Sequence, residues 1–166
     1  MNIRKLEIKD APLMLEWMHD SNVVEFFGVD FSSKTLNDAE QFILNSFTED
    51  NQNFAIVDEF DEYQGTISLK NIDYKNMNAE YAISIRSSAM GKGFSKDATD
   101  KLLTYAFERL NLNRVYLCVA SDNIRAIKFY KKYGFIYEGK FTNHIRRNDN
   151  FVDLEWYYIL KKEGEK

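Results

Sequence analysis

The chain has 166 residues, 45% of them hydrophobic and 15% aromatic, the size and composition of one compact domain with a full core. A formal net charge of −4 argues against a nucleic-acid footprint, while one cysteine, Cys118, and two histidines, His19 and His144, exclude a disulfide scaffold and leave no zinc-ligand spacing. Charges fill Met1 to Asp10 instead of an apolar signal core, and no run of about 18 apolar residues occurs, so a cytoplasmic protein without membrane span or metal, one domain over 1–166, is expected.

Nothing divides the chain: proline occurs once, at Pro12, glycine seven times, and there is no internal repeat or Ser/Gly/Pro-rich stretch. After a first short strand, Ala11 to Met18 predicts a helix with Asp10 as N-cap and Pro12 in the first turn, where its missing N–H costs little. A second helix is expected from about Asn37 to Phe47, with Ala39, Phe42, Ile43 and Phe47 on one face. Between them, Val23 to Ser33 carries Phe26, Phe27 and Phe31, a long aromatic loop that is either a packed lid or a binding wall.

Phe54 to Val57 is a short apolar strand, acidic Asp58 to Asp61 suits a hairpin turn, and Gln64 to Ile72 sets Ile67 and Leu69 on one face. Ala79 to Arg86 follows with Tyr81, Ile83 and Ile85 on one side and Glu80, Ala82 and Ser84 on the other. A helix from near Ser95 repeats Ala98, Leu102, Ala106 and Leu110 at one-turn spacing, and Arg114 to Ala120 is a β-branched and aromatic strand. Ser121 or Asp122 is placed to cap a helix through Tyr133 that Gly134 stops. Phe135 to Ile145 and Phe151 to Leu160 close the chain as strands around the polar turn Arg147 to Asn150. Because strand–helix–strand units occur only in the second half, the pattern predicts an α+β (mixed α/β) fold with a single sheet.

Two segments carry chemistry. Met90-Gly91-Lys92-Gly93-Phe94-Ser95, followed by Lys96, joins a strand to a helix through two glycines, exposing backbone N–H groups at a helix N-terminus where a phosphate is favoured. Such a turn alone is equally an ordinary helix start; it is neither a Walker loop nor a dinucleotide fingerprint. In Asp122 to Phe135, helical spacing places Asn123, Ala126, Ile127 and Tyr130 on one stripe, a polar amide and a phenol among apolar residues.

Together and in this order, the two segments resemble the GCN5-related N-acetyltransferase (GNAT) superfamily, over most of the chain and most strongly from Glu80 to Phe135. The family's Gln/Arg-x-x-Gly-x-Gly/Ala pattern falls on Met90 to Ser95, with Met90 and Ser95 departing from it. Asn123, Ala126, Phe129-Tyr130 and Gly134-Phe135 match without departure. The resemblance implies a central mixed sheet splayed between two parallel strands and flanked by about four helices, with acetyl-CoA as cosubstrate. Its pyrophosphate would lie on the Gly91–Ser95 turn, with Lys92 adding charge. Its pantetheine arm would take main-chain contacts from Ile83, Ser84 and Ile85, and Asn123 and Ala126 would complete the site.

The reaction so implied is attack of an amine on a thioester. An alkylamine with a pKa near 10.4 is neutral in roughly one molecule in 2,500 at pH 7, a cost of about 4.6 kcal/mol, so a base is needed. The resemblance offers Glu80, at the start of the cofactor strand, as base and Tyr130 as acid for the leaving thiolate. Cys118 lies in a strand without a histidine beside it in sequence, which favours direct transfer over an acetyl-enzyme. The acceptor site of the family is built from the loop between the first two helices, here with Glu25, Phe26, Phe27 and Asp30, and from the final hairpin. Acidic groups beside aromatics suit a cationic polyamine, aminoglycoside or amino sugar. Trp17, Asn22 and Asn150 to Asp153 resemble the branch of ribosomal-protein N-terminal, spermidine and nucleotide-sugar amine acetyltransferases. A protein N-terminus as acceptor, a non-catalytic acyl-CoA sensor and a homodimer stay open, and an RNA partner is opposed by the acidic balance.

Overall fold

Alternation of apolar and polar residues in the strands leaves two faces to cover, and helices supply the cover. The computed structural model describes residues 1–162. Its strands are β1 (Asn2–Lys5), β2 (Gln52–Val57), β3 (Tyr63–Asp73), β4 (Asn78–Ile85), β5 (Arg114–Ala120), β6 (Ile136–Arg147) and β7 (Asn150–Leu160), in one sheet of order β1-β2-β3-β4-β5-β7-β6. Only β4 and β5 are parallel neighbours; all other pairs are antiparallel. The helices are α1 (Ala11–Met18), α2 (Ser21–Val24), α3 (Leu36–Leu44), α4 (Phe94–Thr104) and α5 (Ile124–Tyr133). The mixed single-sheet architecture is the expected one, with the single turn α2 as a helix beyond the four anticipated.

One core joins Ile67, Leu69, Tyr81, Val115, Leu117 and Tyr157 of the sheet to Ala98, Leu102 and Ala106 of the α4 segment and to Ile127 and Tyr130 of α5. A second packs α1 and α3, through Met14, Trp17, Ala39 and Ile43, on Ala55, Val57 and Tyr63 of the opposite face. No helix among the described residues is long and apolar enough to cross a membrane.

Several local expectations change. Asp10 does not cap α1: its buried carboxylate accepts from Arg4, at 2.8 and 2.9 Å, and from the Glu7 N–H. The α3 helix starts at a Thr35–Asp38 capping box and ends at Asn45, so Phe42 is exposed, and Phe47 leaves the helix to pack edge-on against Phe54. The helix after the glycine turn ends in a π-helical turn, Tyr105–Arg109. Asn123, not Ser121 or Asp122, caps α5, its Oδ1 accepting from the Ala126 N–H at 3.2 Å. The last hairpin turns on Asn148 and Asp149 alone, both at positive φ as a two-residue type I′ turn requires.

Gly65 is fixed by close approach: a Cβ there would lie 2.3 Å from the Ser84 carbonyl oxygen and 3.1 Å from the Ile85 Cα. Backbone atoms cannot rotate out of the way. Gly65→Ala is therefore expected to destabilise by about 3 kcal/mol, lowering Tm by roughly 10 °C. Thermal unfolding checks this, and an unchanged Tm would show that β3 and β4 separate freely.

Candidate active site

The parallel pair is the origin of the site. β4 and β5 are in register only at Asn78↔Arg114, Ala79↔Val115 and Glu80↔Tyr116, although β4 continues to Ile85 and β5 to Ala120. Beyond Glu80 the two strands diverge and a gap opens. The Arg86 N–H donates to the Gln64 carbonyl of β3 at 3.0 Å, and strand alternation then turns the peptides of Ile83 and Ile85 toward the gap. The same alternation turns the Ser84 peptide toward β3, so of the three residues expected to offer main-chain groups, Ser84 does not offer its own to the gap.

At the open end lies the glycine turn. Gly91 and Gly93 sit at φ +76° and +87°, in the left-handed region that glycine occupies without strain. Gly93 is the N-cap of α4, no side chain caps the helix, and the N–H groups of Phe94 and Ser95 have no intrahelical partner. With the helix dipole, they are the kind of donors that suit an anion. Lys92 is exposed beside it, whereas the Lys96 ammonium is tied to Asp100 at 2.7 Å. Met90 adds a contact that the sequence reading missed: its Sδ lies 2.9 Å from Arg125 Nη1, setting a guanidinium from the first turn of α5 beside the glycine turn. The only signal for Arg125 was its place two residues after Asn123.

Tyr130 projects from α5 into a cage of Tyr81, Phe129 and Phe135, with ring centroids 5.9, 5.5 and 5.7 Å away. No hydrogen bond joins its hydroxyl to another group among the described residues, and burial pushes its pKa well above the usual phenol value. Asn123, occupied as a cap, and Ala126 belong to the first turn that positions this ring.

Glu80 stands where pairing ends. Asn71 Nδ2 donates to its Oε2 at 2.9 Å, and the Cys118 thiol approaches its Oε1 at 3.7 Å. Burial and the Glu80 charge push Cys118 up to about 11, so it is a thiol at neutral pH and a poor nucleophile. Cys118 thus approaches Glu80 from β5, while Tyr130 packs on the neighbouring Tyr81 of β4.

The aromatic loop and the final hairpin line a common cavity of about 1010 Å³, with Glu25, Phe27 and Asp30 on one wall and Arg146 and Arg147 on the other. Phe27 and Phe31 stack against Trp17, at 5.8 and 5.5 Å, so the loop is both lid and wall. Phe26 lies outside the lining, under the Arg147 guanidinium at 5.4 Å. Ser87 donates to Asp20, which also caps α2 through the Asn22 N–H, tying the loop to the end of β4. A second cleft, of about 790 Å³ between α4, α5 and the end of β7, touches only Lys96 among the candidate site residues. No group of three His, Cys, Asp or Glu side chains that could hold a metal is found among the described residues.

Residues 1–136 match the family model of the acetyltransferase (GNAT) domain. Over nearly the whole chain the protein is similar to the uncharacterized N-acetyltransferase p20 of Bacillus licheniformis, 30% identical over 98% of this chain and 94% of that one. It is likewise similar to the spermidine N(1)-acetyltransferase of Vibrio cholerae, 27% identical over 98% and 94%. The crystal structure of spermidine N-acetyltransferase from Vibrio cholerae in complex with CoA and spermine superposes with a TM-score of 0.86 at 26% identity, over 96% of this chain and 94% of that chain. A sheet splayed beside a glycine turn, matched by that family model over most of its length, means that the chain belongs to the GNAT acetyltransferase family and is an N-acetyltransferase.

Proposed function

We propose that the protein moves the acetyl group of acetyl-CoA directly to a primary amine of a small cationic molecule, such as a polyamine, aminoglycoside or amino sugar. The observation that carries this is the gap between β4 and β5, open from Tyr81 onward and ended by the Gly91–Ser95 turn. The residues present fit the cosubstrate: free N–H groups with Lys92 and Arg125 for the pyrophosphate, and the peptides of Ile83 and Ile85 for the pantetheine amides. When bound, acetyl-CoA supplies an activated thioester carbonyl. Glu80 takes the proton the amine must lose, and Tyr130 gives a hydrogen bond, then a proton, to the sulfur that leaves.

For the acceptor, Glu25 and Asp30 are the cavity carboxylates that form no salt bridge among the described residues, and hydrogen bonds from Ser32 hold Asp30 below the usual carboxylate range. Both are open to a cation. Glu80 is not among the lining residues, so the reacting amine must extend out of the cavity toward the gap. An elongated amine does this more readily than a compact sugar. The relative from Vibrio cholerae, solved with spermine, is consistent with that choice. A second reading, a protein N-terminus as acceptor, is favoured by Arg147: its Nη1 pairs with Asp122 at 2.6 Å while its buried Nη2 has no hydrogen-bond partner among the described residues, and a peptide brings carbonyl oxygens.

Acetyl-CoA at about a hundred times its Kd should stabilise the protein by about 2.7 kcal/mol, seen as a rise in Tm of several degrees. An acetyl-CoA consumption screen against polyamines, aminoglycosides, amino sugars and N-terminal peptides should then respond to the first three. Turnover of peptides alone would select the second reading. Stabilisation without turnover of any amine would leave a sensor.

A further inference from the structure

We propose that Asn71 is a positioning residue for the catalytic base, its side-chain amide orienting the Glu80 carboxylate from a bulge built into β3. This rests on the reading of Glu80 as the base.

The ladder between β3 and β4 is regular to Lys70↔Glu80 and resumes at Asp73↔Asn78, so β3 carries one extra residue across the interruption. Regular alternation would send the Asn71 side chain to the sheet face opposite Lys70 and Glu80. The bulge prevents this. Asn71 takes φ +49°, a left-handed conformation that asparagine tolerates better than most residues, and bulges re-aim side chains in this way. The segment is anchored to the turn before β2, by the Asn71 N–H to Asn51 Oδ1 at 3.3 Å and the Ile72 N–H to the Asp50 carbonyl at 2.9 Å. The re-aimed amide meets Glu80 Oε2 at 2.9 Å. A carboxylate accepts only, so the NH2 end must face it.

The carboxylate is thereby held from both neighbouring strands, by Asn71 on β3 and the Cys118 thiol on β5. The titratable groups facing it are Lys70 across the β3 ladder and Tyr116 and Cys118 on β5. Burial raises both Tyr116 and Cys118, which stay neutral near pH 7. Donors to the ionised form favour it. Glu80 works ionised, so activity is lost as pH falls through its pKa, and removing a donor should move that loss to higher pH.

Asn71→Gly is the informative variant, because glycine keeps the left-handed backbone while deleting the amide. The expected result is a carboxyl titration of Glu80, followed by 13C NMR, displaced to higher pH than in the parent. The acid-side fall of kcat, measured with the best amine of the screen, should move by the same amount, with kcat down about threefold to tenfold and KM for acetyl-CoA unchanged. Asn71→Asp should shift the titration further, by like charge, and Cys118→Ala in the same direction by less. An unmoved titration and pH profile in Asn71→Gly, with Glu80→Gln having abolished the inflection at the Glu80 titration, would overturn the positioning role. An inflection that survives in Glu80→Gln at the pH of the parent's Glu80 titration would overturn the base reading itself.

Discussion

Tyr130→Phe should lower kcat by about a hundredfold or more while acetyl-CoA still raises Tm as in the parent. The phenol is buried among Tyr81, Phe129 and Phe135, with no protein hydrogen bond found for its hydroxyl among the described residues, so phenylalanine fills the same cage and stability should change little. Burial keeps the group protonated across the working range, which suits a hydrogen-bond donor to a departing thiolate and excludes a role as base. No limb of the pH profile should therefore disappear with it. Steady-state kinetics at saturating acetyl-CoA decides the matter: full turnover would remove Tyr130 from the acid role.

Glu80→Gln should cost about as much or more, roughly a hundredfold to ten-thousandfold in kcat. Removing the proton from an alkylamine at pH 7 costs about 4.6 kcal/mol, and Glu80 is the carboxylate at the last paired position, where β4 and β5 part. Because Glu80 acts ionised, parent activity falls as the pH drops through its pKa, and the glutamine variant should lose that inflection and keep only the slope set by protonation of the amine. Raising the pH supplies more neutral amine, so the variant should recover part of its rate toward pH 10. A pH profile identical in shape to the parent's would reject the assignment.

Much of the fold was legible because its signals are local. Period-two runs such as Ala79 to Arg86 and the one-turn spacing of Ala98, Leu102 and Ala106 follow directly from which face must be dry. Gly134, at φ +116°, stops α5 where glycine alone is unstrained. The errors fall where a distant partner outcompetes the local one. Asp10 is a good N-cap by type, but the Arg4 guanidinium claims it. Asp122 would cap α5, but pairs with Arg147 and leaves the cap to Asn123. Phe42 fits the apolar stripe of α3, yet Ala39 and Ile43 occupy the contact with α1 and leave it exposed.

The site divides in the same way. The order of residues along the chain was enough to indicate the glycine turn at Gly91 and Gly93, the stripe of Asn123, Ala126 and Tyr130, and Glu80 at the head of its strand, since each depends on a backbone conformation or a spacing within one element. Which peptides face the gap, that Ile83 and Ile85 do and Ser84 does not, depends on the pairing of β4 with β3. That Arg125 reaches Met90, that Asn71 and Cys118 grip Glu80 from two strands, and that Glu25 and Asp30 share a cavity with Arg147 are contacts between elements far apart in sequence. Local propensities act over a few residues and carry no record of such contacts. Only the register of the sheet and the packing of the helices on it bring these groups within hydrogen-bonding distance.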